Sequence, residues 1–312
     1  MTDQSIPDTS PDLASTSMRR LVRRKRRWLI PVGAAIAFLG SMAGVGGGLF
    51  AGPFLAVYYR FTLRRAVATG LILVFVNALT STVTEVLRPD SRVLWTVVAA
   101  TAAGSLIGAQ GGFSISKRLD ERRLRQFFVI VLAIAGARVF RDVLAGGRVA
   151  DVAAGGEVLG LDLLLAGLAG LGGGILAPIL GIGGGLLIVP ALYLLVPAIG
   201  FPEARACSMA VIVVSSSRSL YLHGRAGNVS WNLARFLAVG AAIGAVGGVV
   251  TVKQPGLALF GQIVLGATLW LVAGRFVVEL ARGRRASDGA TNESGAPALE
   301  RSASQESGQP QA

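Results

Sequence analysis

The sequence predicts an all-α polytopic membrane protein. It predicts two inverted-topology repeats of about five helical segments each, with a glycine-broken hairpin opening each repeat. Apolar runs recur along most of the chain, and only 15% of its residues are charged, against about 25% in soluble domains. A glycine phrase occurs twice inside apolar sequence: Gly44-Val45-Gly46-Gly47-Gly48 with Pro53 beyond it, and Gly181-Ile182-Gly183-Gly184-Gly185 with Pro190 beyond it. Most Lys and Arg residues sit in short segments between the apolar runs, as in the cytoplasmic loops of membrane proteins.

Three adjacent glycines make a poor helix, because each loses much backbone entropy and leaves backbone polar groups badly covered. In hydrocarbon those groups cannot turn to water. Irregular backbone persists there only when buried in protein or lining a cavity. Two matched interruptions point to a transporter assembled from repeats, with its site where they meet.

Residues 1–27 are polar and then basic, with Arg19, Arg20, Arg23, Arg24, Lys25, Arg26 and Arg27 before the first apolar run. We read them as a cytoplasmic arm that sets topology. No small-residue cleavage pattern of a signal peptide appears, because apolar segments continue. The first repeat, 28–144, contains segments at 28–43, 47–59, 66–86, 93–116 and 125–144. A Gly/Ala-rich linker occupies 145–157. The second repeat, 158–281, contains segments at 159–180, 185–197, 205–222, 230–252 and 257–280. The tail, 282–312, is rich in Ser, Gly, Ala, Gln and Glu and is expected to be disordered.

The first two segments are short. A leg of about 15 residues covers about 23 Å, less than the hydrocarbon thickness of about 30 Å. They form either a hairpin that enters and returns on one side or two thin, tilted spans. Both give the same parity. With the arm inside, the loops holding Arg60, Arg64 and Arg65, then Lys117, Arg118, Arg122, Arg123 and Arg125, and finally Arg282, Arg284 and Arg285 all fall inside. This satisfies the positive-inside rule. It also inverts one repeat relative to the other, because a hairpin plus three crossings is odd. The expected location is the cytoplasmic membrane, multi-pass, with both termini cytoplasmic.

The repeat extends beyond the glycines. Ala66-Val67-Ala68-Thr69-Gly70 parallels Ala204-Arg205-Ala206-Cys207-Ser208, and Asn77 falls at the place of Ser215. Gly104 and Gly108, and Gly240, Gly244 and Gly248, are spaced for close helix crossing. Packing alone accounts for these.

The paired GxGGGxxxxP phrases, the AxAxx phrase about a dozen residues after each proline, and the run Gly224-Arg225-Ala226-Gly227-Asn228-Val229-Ser230-Trp231 resemble the sulfite exporter TauE/SafE family. The similarity covers about residues 29–280. It implies a membrane transporter of small anions, often sulfur oxyanions, sulfonates or other organic acids, whose members differ in direction and cargo. Gly70 stands where the family usually has a small hydroxyl residue, as Ser208 does in the second half.

An anion suits such hairpins. A helix N-terminus carries unpaired N–H groups and the positive dipole end, and glycine lets a solute approach that backbone closely. The expected substrate-binding residues are Gly46, Gly47 and Gly48 with Pro53 and Asn77, and Gly183, Gly184 and Gly185 with Pro190, Ser208, Ser215 and Arg218. The opposing reading is that the glycines only permit tight crossing, and that each Ser or Thr bonds its own helix carbonyl. Charges near helix ends, among them Glu85, Arg138, Arg141, Asp162, Arg235, Arg275 and Glu279, are within snorkelling reach of the surface.

The single cysteine, Cys207, and single histidine, His223, argue against disulfides, cysteine metal clusters and histidine-based catalysis. No enzyme and no cofactor is expected. The net charge of +13 follows the loops rather than a nucleic-acid surface. The expected partners are a small anionic substrate and the lipid bilayer, with homo-oligomerisation left open. A channel-like anion pore and a non-transporting scaffold or receptor remain alternatives to a carrier. In a Cys207→Ala background, Asp120→Cys and Arg148→Cys should label from opposite sides of the membrane; same-side labelling would refute this topology.

Overall fold

The computed structural model describes residues 27–116, 121–144, 160–180, 185–254 and 256–294. The arm before residue 27, the linker, Gly183, Gly184 and the chain beyond residue 294 lie outside the described residues. The elements are α1 (Leu29–Ala43), α2 (Gly48–Tyr59), α3 (Leu63–Val86), α4 (Trp95–Ser116), α5 (Glu121–Leu144), α6 (Gly160–Leu180), α7 (Gly185–Leu195), α8 (Phe201–Arg225), α9 (Trp231–Val252) and α10 (Ala258–Ser294).

Three elements differ from the expected segments by four residues or more; helix α5 starts at Glu121 rather than 125. Helix α8 starts at Phe201 rather than 205. Pro202 suits a first helical turn, where no N–H is needed, and the Glu203 carboxylate accepts the Gly200 N–H at 3.1 Å. Glu203 and Arg205 therefore lie on the helix instead of in a loop. Helix α10 continues to Ser294, into the expected tail. Extending a formed helix adds one hydrogen bond per residue fixed, without a new nucleus.

Among the described residues, three stretches are long and apolar enough to cross a bilayer: Arg64–Val86, Trp231–Val252 and Ala258–Val278. Large apolar side chains remain exposed on outward faces, including Leu79, Val83, Ile107, Ile134, Leu168, Ile243 and Leu271. Apolar exposure on this scale suits lipid rather than water. Exposed Trp28, Tyr58, Tyr221 and Trp231 gather at one end of the bundle, as aromatic residues do at a membrane interface.

The first hairpin enters and returns on that same aromatic end. Trp28, Leu29 and Val32 at the start of α1 line one pocket with Phe54, Tyr58 and Tyr59 at the end of α2. Its turn reaches only the middle of the bundle. A Cβ at Gly46 would stand 3.2 Å from Val74 and 3.5 Å from Ile212, near the midpoints of α3 and α8.

Helix directions follow from which residues meet. Gly240 abuts the Ile30 carbonyl, and Gly244 that of Ala34, so α1 and α9 run parallel. Gly104 abuts Gly167, and Gly174 abuts Ser105, so α4 and α6 also run parallel. The end of α3 meets the start of α8 through Glu85 and Arg205. Gly136 of α5 meets Trp270 of α10, while Gly266 meets Phe140, an antiparallel pair. The first helix of each half thus packs along the fourth helix of the other. Corresponding helices run in opposite senses: α1 against α6, α3 against α8, α4 against α9 and α5 against α10.

The glycines at these crossings bring backbones into direct contact. Gly244→Ala would press a methyl group into the Ala34 carbonyl and should destabilise the protein by about 1–3 kcal/mol. Gly274→Ala meets nothing within 4 Å and should be neutral, or stabilising by up to about 1 kcal/mol. Thermal unfolding in detergent checks the contrast.

Candidate functional site

The turn between α1 and α2 is built from glycines in the left-handed region: φ is 78° at Gly44, 76° at Gly46 and 80° at Gly47. An L side chain is strained at such φ values. The Gly40 carbonyl accepts N–H groups from Val45 at 2.9 Å and Gly46 at 3.3 Å, which ends α1. Gly47 caps α2, and its carbonyl accepts Phe50 and Ala51 N–H, each at 3.2 Å. No backbone bond of the turn uses the N–H groups of Gly47, Gly48 or Leu49. These are the unpaired donors that helix geometry leaves at an N-terminus.

Asn77 on α3 is fully buried beside this turn. Neither its Oδ1 nor its Nδ2 has a hydrogen-bond partner. A Cβ at Gly40 would stand 2.6 Å from the Gly47 nitrogen and 3.1 Å from Asn77 Nδ2. The turn amide and the side-chain amide therefore both lie close to Gly40 at the centre of the bundle. Ser81, one turn further along α3, is buried with its hydroxyl unpartnered as well.

The second half meets the first at this turn. Val189 of α7 packs against Gly44. Leu186 and Leu187 join Met42, Ala43, Val45 and Leu49 in one apolar cluster. Gly185 begins α7 as expected. Pro53 and Pro190 each stand at the sixth position of their helices, past the opening turn. Each ring therefore removes the donor that would reach the carbonyl four residues back, Leu49 or Leu186. Neither proline simply occupies a position whose N–H was already unpaired.

The other expected ligands part company. Ser208 donates its hydroxyl to the Gly44 carbonyl at 2.9 Å, which ties α8 to the turn and leaves no hydrogen for a solute in this state. Ser215, Ser216 and Ser217 donate to carbonyls of their own helix. Arg218 is exposed, two turns before the end of α8.

Sequence reasoning missed a buried arginine. Arg205 is 2% exposed. Its Nη2 lies 2.6 Å from Glu85 Oε2, and its Nη1 donates to the Ser41 carbonyl at 3.4 Å. Glu85, expected to snorkel, is 1% exposed. Its Oε1 lies 2.7 Å from Lys253 Nζ and accepts the Arg92 N–H at 3.2 Å. Arg92 also pairs with Glu203 at 2.8 Å. Lys253 reaches Asp90 in the α3–α4 loop at 3.3 Å. Desolvation pushes the Asp90 carboxyl up, but the hydrogen bond and charge of Lys253 outweigh it and hold the group below its ordinary value. The available signal was Arg205 itself, a cation where the first repeat has Val67 between the same alanines.

Comparison with known proteins bears on this fold directly. The family model for the sulfite exporter TauE/SafE matches residues 9–139 and 166–305. The chain belongs to the TauE/SafE family. The family model's description is of an exporter rather than of a class of enzymes. One curated relative is the "Probable membrane transporter protein YunE" of Bacillus subtilis (strain 168), 26% identical over 113 residues, which is 36% of this chain and 41% of that relative. The aligned part thus spans well under two thirds of the relative's length. No solved structure matches this TauE/SafE chain.

Ser208→Ala should leave the Gly44 carbonyl without its donor and cost about 1–3 kcal/mol. Ser215→Ala should cost little, because its bond stays within one helix. Thermal unfolding of the two variants checks this.

Proposed function

We propose that this TauE/SafE protein carries a small oxyanion across the cytoplasmic membrane by alternating access between two inverted repeats. The solute is a sulfite, an organosulfonate or a related organic acid, held midway at the α1–α2 turn. Both termini face the cytoplasm, in keeping with Arg60, Arg64, Arg65 and Arg225 near the end where α1 begins.

The observation that carries this reading is Asn77. A buried amide with no partner costs about 1–3 kcal/mol, and it stands beside unpaired helix N-terminal amides at mid-bundle. An anion resting there would accept hydrogen bonds from Asn77 Nδ2 and from the Gly47–Leu49 backbone, in the manner of helix N-terminal anion sites. Backbone and amide donors carry little net charge, so such a site binds and also releases. The opposed directions of corresponding helices support the rocking exchange, because a site between inverted repeats can open to either side in turn.

Asn77→Leu separates function from folding. It removes two unsatisfied polar atoms, so stability should rise by about 1–3 kcal/mol, while flux of radiolabelled sulfite or methanesulfonate in proteoliposomes should fall. Gly47→Leu should abolish flux while membrane insertion persists. Unchanged flux in Asn77→Leu would refute the site.

A further inference from the structure

We propose that Arg205, with Lys253 beside it, is the cationic end-station of the anion path, and that Glu85 occupies it as a resident counter-anion until the solute's own oxyanion displaces it. This rests on the midway anion site proposed above.

Asn77, Ser81 and Glu85 recur every fourth residue on α3, and all three are buried. They form one polar stripe about 12 Å long. The amide of Asn77 and the hydroxyl of Ser81 have no partner, whereas Glu85 at the far end is held from three sides, by Arg205, Lys253 and the Arg92 N–H. Unpaired donors thus lead from the hairpin turn toward a paired cation cluster. Arg205 touches both ends of this route: it pairs with Glu85, while its guanidinium donates to the Ser41 carbonyl in the last turn of α1 and its Cα stands 3.1 Å from the Cβ position of Gly44.

A buried ion pair is a weak source of stability, and removing one partner is costly because the other charge is stranded. Exchanging one carboxylate for an incoming sulfonate or carboxylate strands nothing. The guanidinium keeps an oxyanion in its planar fork throughout. Glu85 then turns toward the aqueous end, where α3 gives way to the loop holding Asp90. The contacts of Glu85 and Arg205 join α3, α8 and the tip of α1, so their exchange loosens this end of the bundle as the solute passes.

The cluster is confined to one end. In the register that matches Asn77 to Ser215, Glu85 answers His223 and Arg205 answers Val67. The opposite mouth therefore has no equivalent pair, and closure by a resident carboxylate belongs to the Glu85 side.

The native Cys207 reports on this closure. It is the one cysteine of the chain, is fully buried, and exchanges hydrogen bonds with Leu94 two residues from Arg92 and Arg205. In full-length protein in nanodiscs, N-ethylmaleimide labelling of Cys207 is followed by mass. Wild type should label slowly, and methanesulfonate should accelerate it about tenfold by populating the opened form. Glu85→Gln should label fast without any anion and gain nothing from it. Lys253→Gln, at the less buried edge, should label at an intermediate rate. Glu85→Asp, which keeps the charge, should retain the anion response, and this guards against a Glu85→Gln protein that is merely misfolded. Wild-type labelling rates in Glu85→Gln and Lys253→Gln would overturn the latch, and a wild-type rate unmoved by methanesulfonate would overturn displacement by the anion. Anion-responsive labelling combined with normal flux in Asn77→Leu would instead defeat the midway site and leave the latch standing.

Discussion

A peptide N–H inside hydrocarbon has no water to turn to, and this architecture depends on that constraint. A helix satisfies its own backbone everywhere except at its ends. Bringing a helix end to the centre of the membrane therefore requires protein to surround it. The α1–α2 turn is enclosed by α3, α7 and α8, whose Val74, Val189 and Ile212 press on its glycines. The donors that stay unpaired there are both a cost and an opportunity, since only a solute that accepts hydrogen bonds repays them.

Much of the fold was legible because the physics is local. Apolar run length gave the ten described helices within a few residues of their observed bounds, except the far end of α10, which runs on to Ser294. The Gly44–Gly48 phrase lies at a break because three glycines cannot continue a helix cheaply. Asn77 was legible because a polar residue in an apolar run demands a reason. What escaped was decided by tertiary contact. Arg205 sits four residues from a helix start that local signals blurred, and only the arrival of Glu85 from α3 and Lys253 at the end of α9 makes its burial tolerable. Ser208 looked like a ligand until the turn carbonyl of Gly44 arrived to take its hydrogen. Arg218, a charge among serines, drew attention for its sequence neighbours and proved to be on an exposed face.

The two halves share a plan but not a chemistry. At the turn, α7 contributes apolar Leu186, Leu187 and Val189, while α3 contributes Asn77 and Ser81. Ser215, the counterpart of Asn77, satisfies itself on its own helix. Polar capacity is concentrated on α3, and the ionic cluster at its end continues the same bias. The proposed exchange between two mirrored shapes need not be energetically even, because the side chains of the two halves differ.

The pairing of α1 with α9 has a consequence for how the protein is made. Helix α1 leaves the ribosome well before the surface that buries it, Gly240, Gly244 and Gly248 on α9. Until then the short hairpin must wait at the membrane with its turn uncovered. Contacts so distant in sequence form late. Biogenesis is therefore most exposed to failure during this interval, and insertion factors that shelter a half-buried hairpin would act there.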